Sequence, residues 1–130
     1  MKALFTFFCL IPFVLSAQQI LETGTIQPKE SYDNISVKPL FSDSLVSSFM
    51  IFIKKEVKPH KHLLHSEHVY ILEGTGIITL GSQQQQVKPG DLIFIPKNTV
   101  HAVQVTSAVP MKVISTQAPH FDGSDRVMVE

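Results

Sequence analysis

Hydrophobic and polar positions form a new pattern after about Ser31, where a stretch without clear periodicity ends. From there on, short runs rich in Val, Ile and Phe alternate with turns containing Gly, Pro, Asn and Asp, which is typical of β-strands. The runs cover residues 46–57, 68–73, 77–80, 83–87, 92–95, 101–105 and 111–116. Because they are short, closely spaced and not separated by amphipathic helical stretches, they predict an all-β sandwich or barrel.

The N-terminus has a different pattern. After Met1-Lys2, residues 3–15 are largely apolar, include Pro12, and are followed by Ser16-Ala17. A short positive start, an apolar run and a small residue at the cut are typical of a secretory signal peptide, whereas a membrane anchor needs about 20 apolar residues. A lipoprotein anchor would need a cysteine at the end of the run, and Cys9 lies in its middle. We therefore expect residues 1–17 to be removed near Ala17 and the protein to be periplasmic or secreted.

Cleavage would change the composition that matters for function. The chain of 130 residues has one cysteine, within residues 1–17, so the mature protein would have no thiol and no disulfide. It would keep ten basic and eleven acidic residues, a formal charge of −1, which argues against nucleic acid or an anionic membrane surface as a partner. This length predicts one domain, with residues 18–30 as an N-terminal arm and 31–130 as the folded domain.

Four potential metal ligands lie in two short parts of the chain. His60 and His62 are separated by one residue, so their imidazoles lie on the same face of a strand. Glu67 follows after a short turn and can return to that face, while His101 would arrive from a distant strand. Three nitrogens and one oxygen suit iron, manganese, nickel, zinc or copper. We therefore predict a divalent transition-metal site.

The remaining histidines do not fit this set. His65 lies in the turn and is expected to be exposed to solvent, and His68 points to the face opposite Glu67 by strand parity. His120 follows the last predicted strand and is expected to be a surface residue of a tail. None of the three is predicted to be a ligand.

Strand parity also bears on the lining of a pocket around the metal. Val69 and Ile71 share a face with Glu67, but parity alone does not say whether Leu92 or Ile93 faces inward. The apolar choices favour a small, uncharged or weakly polar ligand, or simply a barrel core. The basic side chains of Lys54, Lys97 and Arg126 are isolated in the sequence, and we expect them to be solvated at the surface rather than to meet an anionic substrate.

The spacing of the predicted ligands resembles the two motifs of the cupin superfamily. The first motif is His-x-His, three or four residues, Glu, six residues, Gly, and it is matched by His60, His62, Glu67 and Gly74. The second motif is Gly, five residues, Pro-x-Gly, two residues, His, three residues, Asn, and it is matched by Gly90, Pro96 and His101. Both motifs lie within residues 45–116, which are most of the mature chain.

Three framework positions depart from the family pattern. Lys54 and Asn98 stand where glycines are expected, and Val105 stands where the closing Asn is expected. Asn tolerates the left-handed backbone that a tight turn requires. Every position that would bind metal keeps its type of ligand.

The resemblance implies a double-stranded β-helix barrel of the jelly-roll type over residues 31–130, with the metal in the barrel mouth, an RmlC-like arrangement, a small-molecule ligand and a homodimer. Three functions remain open. The first is a metal-dependent enzyme acting on a small organic substrate, with an oxygenase as the leading reaction type. The second is a non-catalytic module that binds a metal or a small ligand. The third is a sugar isomerase-like cupin, against which the near-neutral charge and the few arginines argue.

Overall fold

A computed structural model describes residues 19–130, which form two antiparallel five-stranded sheets around one apolar core. The strands are β1 (Ile35–Ser42), β2 (Ser47–Ile53), β3 (Glu56–Lys61), β4 (Ser66–Glu73), β5 (Gly76–Leu80), β6 (Gln83–Val87), β7 (Leu92–Ile95), β8 (His101–Val105), β9 (Met111–Ala118) and β10 (Val127–Met128). One sheet has the order β1-β2-β9-β4-β7 and the other the order β10-β3-β8-β5-β6. The predicted all-β, double-stranded β-helix fold is confirmed.

The predicted run over residues 46–57 is two strands in different sheets. Strand β2 ends at Ile53, and β3 begins at Glu56 after a bend at Lys54 and Lys55. The side chain of Asn34 stabilises this corner, because its Oδ1 accepts hydrogen bonds from the backbone N–H groups of Lys55 and Glu56. No glycine or proline marks this corner in the sequence, and the residue that holds its backbone lies about twenty positions earlier.

The core lies between the sheets and is filled from alternate positions of the strands. It consists of Ile53, Ile71, Ile78, Val87, Ile93, Ile95, Met111 and Val113. Because Glu67 pairs with Ile95 and Val69 with Ile93, the odd-numbered residues of β7 face inward. Leu92 consequently lies outside, with 66% of its surface exposed.

The parts of the chain outside the two motifs have mixed structure. A single 3-10 turn, Thr23–Thr25, lies within the predicted arm, and the boundary between arm and domain stays a prediction. The predicted signal peptide, residues 1–17, lies outside the described residues. Within residues 19–130, no helix has the length and apolar character that crossing a membrane would require.

Candidate metal centre

The fold brings the four predicted ligands to one end of the space between the sheets. His60 lies in β3 and pairs directly across the sheet with His101, the first residue of β8. His62 follows β3, and Glu67 lies near the start of β4 in the other sheet. All four are buried, and one nitrogen from each of the three imidazoles lies within 4.8 Å of the other two.

Backbone carbonyl groups fix the orientation of all three imidazoles. The Nδ1 of His60 donates to the Lys58 carbonyl at 2.9 Å, and that of His101 donates to the Thr99 carbonyl at 3.0 Å. The Nδ1 of His62 donates in the same way to the carbonyl of Asp125. A carbonyl only accepts hydrogen bonds, so the proton of each neutral ring is on Nδ1 and the lone pair is on Nε2.

The Nε2 atoms are free to bind a cation. In the described part of the chain, His62 Nε2 and His101 Nε2 are buried and have no hydrogen-bond partner. Orphaned acceptors of this kind are uncommon in protein interiors. A divalent metal would satisfy both, so the residues fit the ion that the sequence predicts.

Glu67 completes this set with a carboxylate oxygen. Its Oε2 lies 3.2 Å from His101 Nε2 and 3.5 Å from His62 Nε2, while its Oε1 accepts a hydrogen bond from the Ser115 hydroxyl. Burial alone would raise the pKa of Glu67, but His101 and His62, whose Nε2 faces the carboxylate as an N–H donor when the ring is protonated, and the Ser115 hydroxyl hold it well below its usual range. The buried carboxylate is therefore ionised at neutral pH and available as an anionic ligand.

The imidazoles of His60 and His62 differ in their electrostatic surroundings. Burial and the neighbouring His101 lower the pKa of His60 to about 4, so this ring is neutral at physiological pH. Burial also lowers the pKa of His62, but the Asp125 carbonyl and the Glu67 carboxylate outweigh that effect and raise it above its usual value. In the absence of a cation, Glu67 thus makes His62 the more basic ligand of the two.

A cavity of about 230 Å³ extends from the four ligands into the barrel. Its walls are mostly apolar and include the predicted Val69 and Ile71. Three further polar residues contribute to the lining, namely Ser115, Gln117 and Arg126. Gln117 is opposite Glu67 in the sheet register, and its buried Oε1 has no hydrogen-bond partner among the described residues.

Residues 119–130, here called the C-terminal segment, close one side of this cavity. Phe121 and Arg126 belong to its lining, and Phe121 packs its ring edge-to-face against His62 with centroids 5.2 Å apart. Asp125 accepts hydrogen bonds from the backbone of Leu63 and Leu64 at 2.9 and 2.8 Å through its carboxylate. The sequence analysis assigned no role to Phe121 or Asp125, because their partners lie about 60 residues earlier.

The structure corrects the prediction for His65. Its side chain is buried, with 7% exposed, and is not in solvent as predicted. Its Nδ1 contacts Asp125 Oδ2 at 2.6 Å, and its Nε2 contacts the His120 carbonyl at 2.9 Å. His65 therefore joins the turn that carries two ligands to the C-terminal segment, a contact that no local pattern contains.

The structure also shows how exposed the remaining histidines and the predicted basic side chains are. His68 is exposed on the outer face of β4, as parity predicted, and the side chain of His120 is exposed but contacts the Ser42 hydroxyl at 3.1 Å. Lys97 is exposed, as expected. Arg126 is also exposed, as expected, and in addition it lines the cavity, which the sequence did not indicate.

Comparisons with known proteins agree with this fold. Residues 49–117 match the model of the cupin domain. An uncharacterized protein of Aquifex aeolicus is 35% identical over 100 residues, which are 77% of this chain and 82% of that protein. The structure of KdgF from a Halomonas species superimposes with a TM-score of 0.70 and 19% identity, covering 81% of this chain and 96% of that chain.

Two named enzymes match shorter parts of the chain. Mannose-1-phosphate guanylyltransferase RfbM of Salmonella typhimurium is 35% identical over 69 residues, which are 53% of this chain. Quercetin 2,3-dioxygenase of Bacillus subtilis is 40% identical over 48 residues, which are 37% of this chain. Each match covers 14% of the enzyme. The match to the domain model spans more than half of the chain, and the protein therefore belongs to the cupin domain family.

Proposed function

We propose that His60, His62, Glu67 and His101 bind one divalent transition metal. The observation that carries this proposal is the convergence of one nitrogen from each of three imidazoles within 4.8 Å, while a carbonyl engages Nδ1 of each ring and the buried Nε2 atoms of His62 and His101 have no hydrogen-bond partner among the described residues. The ionised Glu67 carboxylate beside two of these nitrogens supplies the negative charge that a divalent cation needs in a buried site. Iron, manganese, nickel, zinc and copper all suit this donor set.

We further propose that the protein is a metal-dependent enzyme of the oxygenase type, acting on a small organic molecule. A redox-active metal would supply one-electron or Lewis-acid chemistry at this position. The apolar walls of the cavity exclude water and hold an apolar substrate beside the ligands. Apart from the ligands, the side chains of residues 19–130 that line the cavity include no histidine or carboxylate that could act as a general base. This supports chemistry centred on the metal, as does the partial match to quercetin 2,3-dioxygenase.

The test is oxygen consumption by the purified protein loaded in turn with iron, manganese, nickel or copper. A panel of phenols, thiols and diketones serves as candidate substrates. We expect turnover of at least one compound, lost in His101→Ala and retained in His68→Ala, because His68 is exposed on the opposite face of its strand. No oxygen uptake with any metal and any compound would refute the oxygenase proposal.

The alternative is a non-catalytic module that holds a metal or a small ligand. Among the described residues, no histidine or carboxylate other than the four ligands lines the cavity, which is compatible with this role as well. Tight binding of a small molecule by the metal-loaded protein, without turnover, would favour it. Turnover that disappears in His101→Ala would refute it.

A sugar isomerase-like activity has weaker support. The partial match to a mannose-1-phosphate guanylyltransferase is compatible with a sugar ligand. A phosphorylated sugar, however, presents many hydroxyl groups and about two negative charges, and each needs a partner when buried. The cavity offers mainly Val and Ile side chains and a single arginine.

We also propose that the protein is exported, with cleavage near Ala17, and that it forms a homodimer. N-terminal sequencing of protein recovered from the periplasm or medium tests export, and a start near Gln18 is the expected result.

Two exposed apolar side chains on the outer face of the edge strand β7, Leu92 and Phe94, support the homodimer. Sedimentation should give twice the mass of one chain for the wild-type protein and the mass of one chain for Phe94→Glu.

A further inference from the structure

Arg126 differs from every other side chain that lines the cavity. In the part of the chain that the structure describes, the lining otherwise consists of apolar residues, the four predicted ligands and the uncharged Ser115 and Gln117, so Arg126 is the one basic residue there outside the histidines. Within residues 19–130, its guanidinium makes no ion pair and no side-chain hydrogen bond. The five donors of this group are therefore available to a ligand.

The backbone of Arg126 is held on both sides. On one side, Asp125 accepts four hydrogen bonds, three through its carboxylate and one from His62 through its carbonyl. On the other side, Val127 pairs with Lys61 in the sheet, and Met128 pairs with His60. The position of Arg126 is thus fixed by β3 and by the turn that follows it, which carry the predicted ligands His60 and His62. Such preorganisation reduces the entropy that a binding residue loses when a ligand arrives.

The charge of Arg126 is close enough to affect the metal centre. Its side chain lines the same cavity as the four predicted ligands. With a divalent cation bound, the positive charge of the metal and of Arg126 would exceed the negative charge of Glu67. A cavity with mostly apolar walls then favours an anion that restores the balance.

We propose that Arg126 binds the carboxylate of a small organic acid, whose apolar remainder fills the cavity beside the metal. The proposal rests on the proposed function and specifies its substrate class. One guanidinium matches one planar carboxylate through two parallel hydrogen bonds. A volume of about 230 Å³ equals roughly eight water molecules, which suits a ligand of on the order of ten non-hydrogen atoms. An organic acid would take the place of the small, uncharged or weakly polar ligand that the apolar sequence pattern favoured.

Benzoate and benzamide are suitable probes, because they have nearly the same shape and differ in charge. Their binding to the purified, zinc-loaded protein is measured by calorimetry or ligand-observed NMR. We expect benzoate to bind at least about tenfold more tightly than benzamide. Arg126→Gln should weaken benzoate binding by about tenfold and leave benzamide binding unchanged. Arg126→Lys should keep part of the preference, and Lys97→Gln, which removes an exposed charge outside the cavity, should keep all of it.

The metal content of each sample separates the two proposals. Arg126→Gln should retain the metal of the wild-type protein, because Arg126 is not a ligand. If the protein takes up no metal, the proposed metal centre fails, while the acid–amide comparison on the metal-free protein still tests Arg126. Equal affinity of the wild-type protein for benzoate and benzamide, an unchanged preference in Arg126→Gln, or no binding of benzoate would each overturn the assignment of Arg126.

Discussion

The imidazole of His62 donates its Nδ1 proton to the backbone carbonyl of Asp125, which lies 63 residues later in the chain. The carboxylate of the same residue accepts hydrogen bonds from the backbone N–H groups of Leu63 and Leu64. Asp125 therefore holds both a predicted metal ligand and the turn that follows it. The C-terminal segment is in this way part of the candidate metal centre rather than a tail beyond the barrel.

Replacing Asp125 with alanine should weaken metal binding although Asp125 is not a ligand. Without its carboxylate, the turn after His62 loses three hydrogen bonds, and the carbonyl that orients His62 is no longer held in place. Loss of a group that orients a ligand typically costs about 10–100-fold in metal affinity, and competition with a chelating dye measures this for zinc.

Asp122→Ala is the matched control for that variant. Asp122 lies in the same segment, but its carboxylate accepts a hydrogen bond from the backbone of Ser124 and not from the turn of the ligands. We expect its zinc affinity to equal that of the wild-type protein. Equal affinities of Asp125→Ala and Asp122→Ala would contradict the positioning role of Asp125.

Ser115→Ala should destabilise the metal-free protein. The hydroxyl of Ser115, which is fully buried, donates to Glu67 Oε1, so its removal leaves a buried carboxylate oxygen without its donor. An unsatisfied buried group of this kind costs about 1–3 kcal/mol in the free energy of unfolding, which urea denaturation measures. Ser48→Ala, whose hydroxyl contacts that of Thr116 away from the cavity, should cost less. A Ser115→Ala variant no less stable than Ser48→Ala would show that this hydrogen bond is unimportant.

Gly74→Ala should be more damaging than Gly81→Ala. Both glycines have positive φ, at 75° and 57°, so a side chain at either position costs about 1–2 kcal/mol in backbone conformation. A Cβ at Gly74 would also lie 2.9 Å from the backbone of Met111 and of Pro110, whereas a Cβ at Gly81 meets nothing within 4 Å. Overpacking of this kind adds about 1–3 kcal/mol. Thermal unfolding should rank the variants in that order, and equal melting temperatures would contradict the close approach at Gly74.

The sequence predicted those features that depend on local spacing. Short β-rich runs separated by turns indicated the all-β fold, and the two-residue period of a strand places His60 and His62 on one face. At Asn98, a residue that tolerates left-handed backbone stands where the family has glycine, and its φ of 61° agrees with that expectation. Each of these features follows from the identity of a residue and its neighbours in the chain.

The features that the sequence did not predict depend on contacts between distant residues. His65 was expected to be exposed because it lies in a turn, yet Asp125 pairs with it 60 residues later. Arg126 seemed isolated because no motif surrounds it, but the pairing of β10 with β3 brings it to the cavity. Strand parity could not orient β7 until the pairing of Glu67 with Ile95 was known. Pairing between distant segments is a property of the folded chain and leaves no periodic signal.

Elemental analysis of the purified protein tests the proposed metal centre most directly. The wild-type protein is compared with a His60→Ala/His62→Ala variant and with His68→Ala, which removes an exposed imidazole on the opposite face of β4. We expect about one transition-metal ion per chain in the wild-type protein and in His68→Ala, and none in the double variant, because two of its three converging nitrogens are gone. A wild-type protein without metal that also fails to take up iron, manganese, nickel, zinc or copper would contradict the metal centre and the enzyme proposed from it.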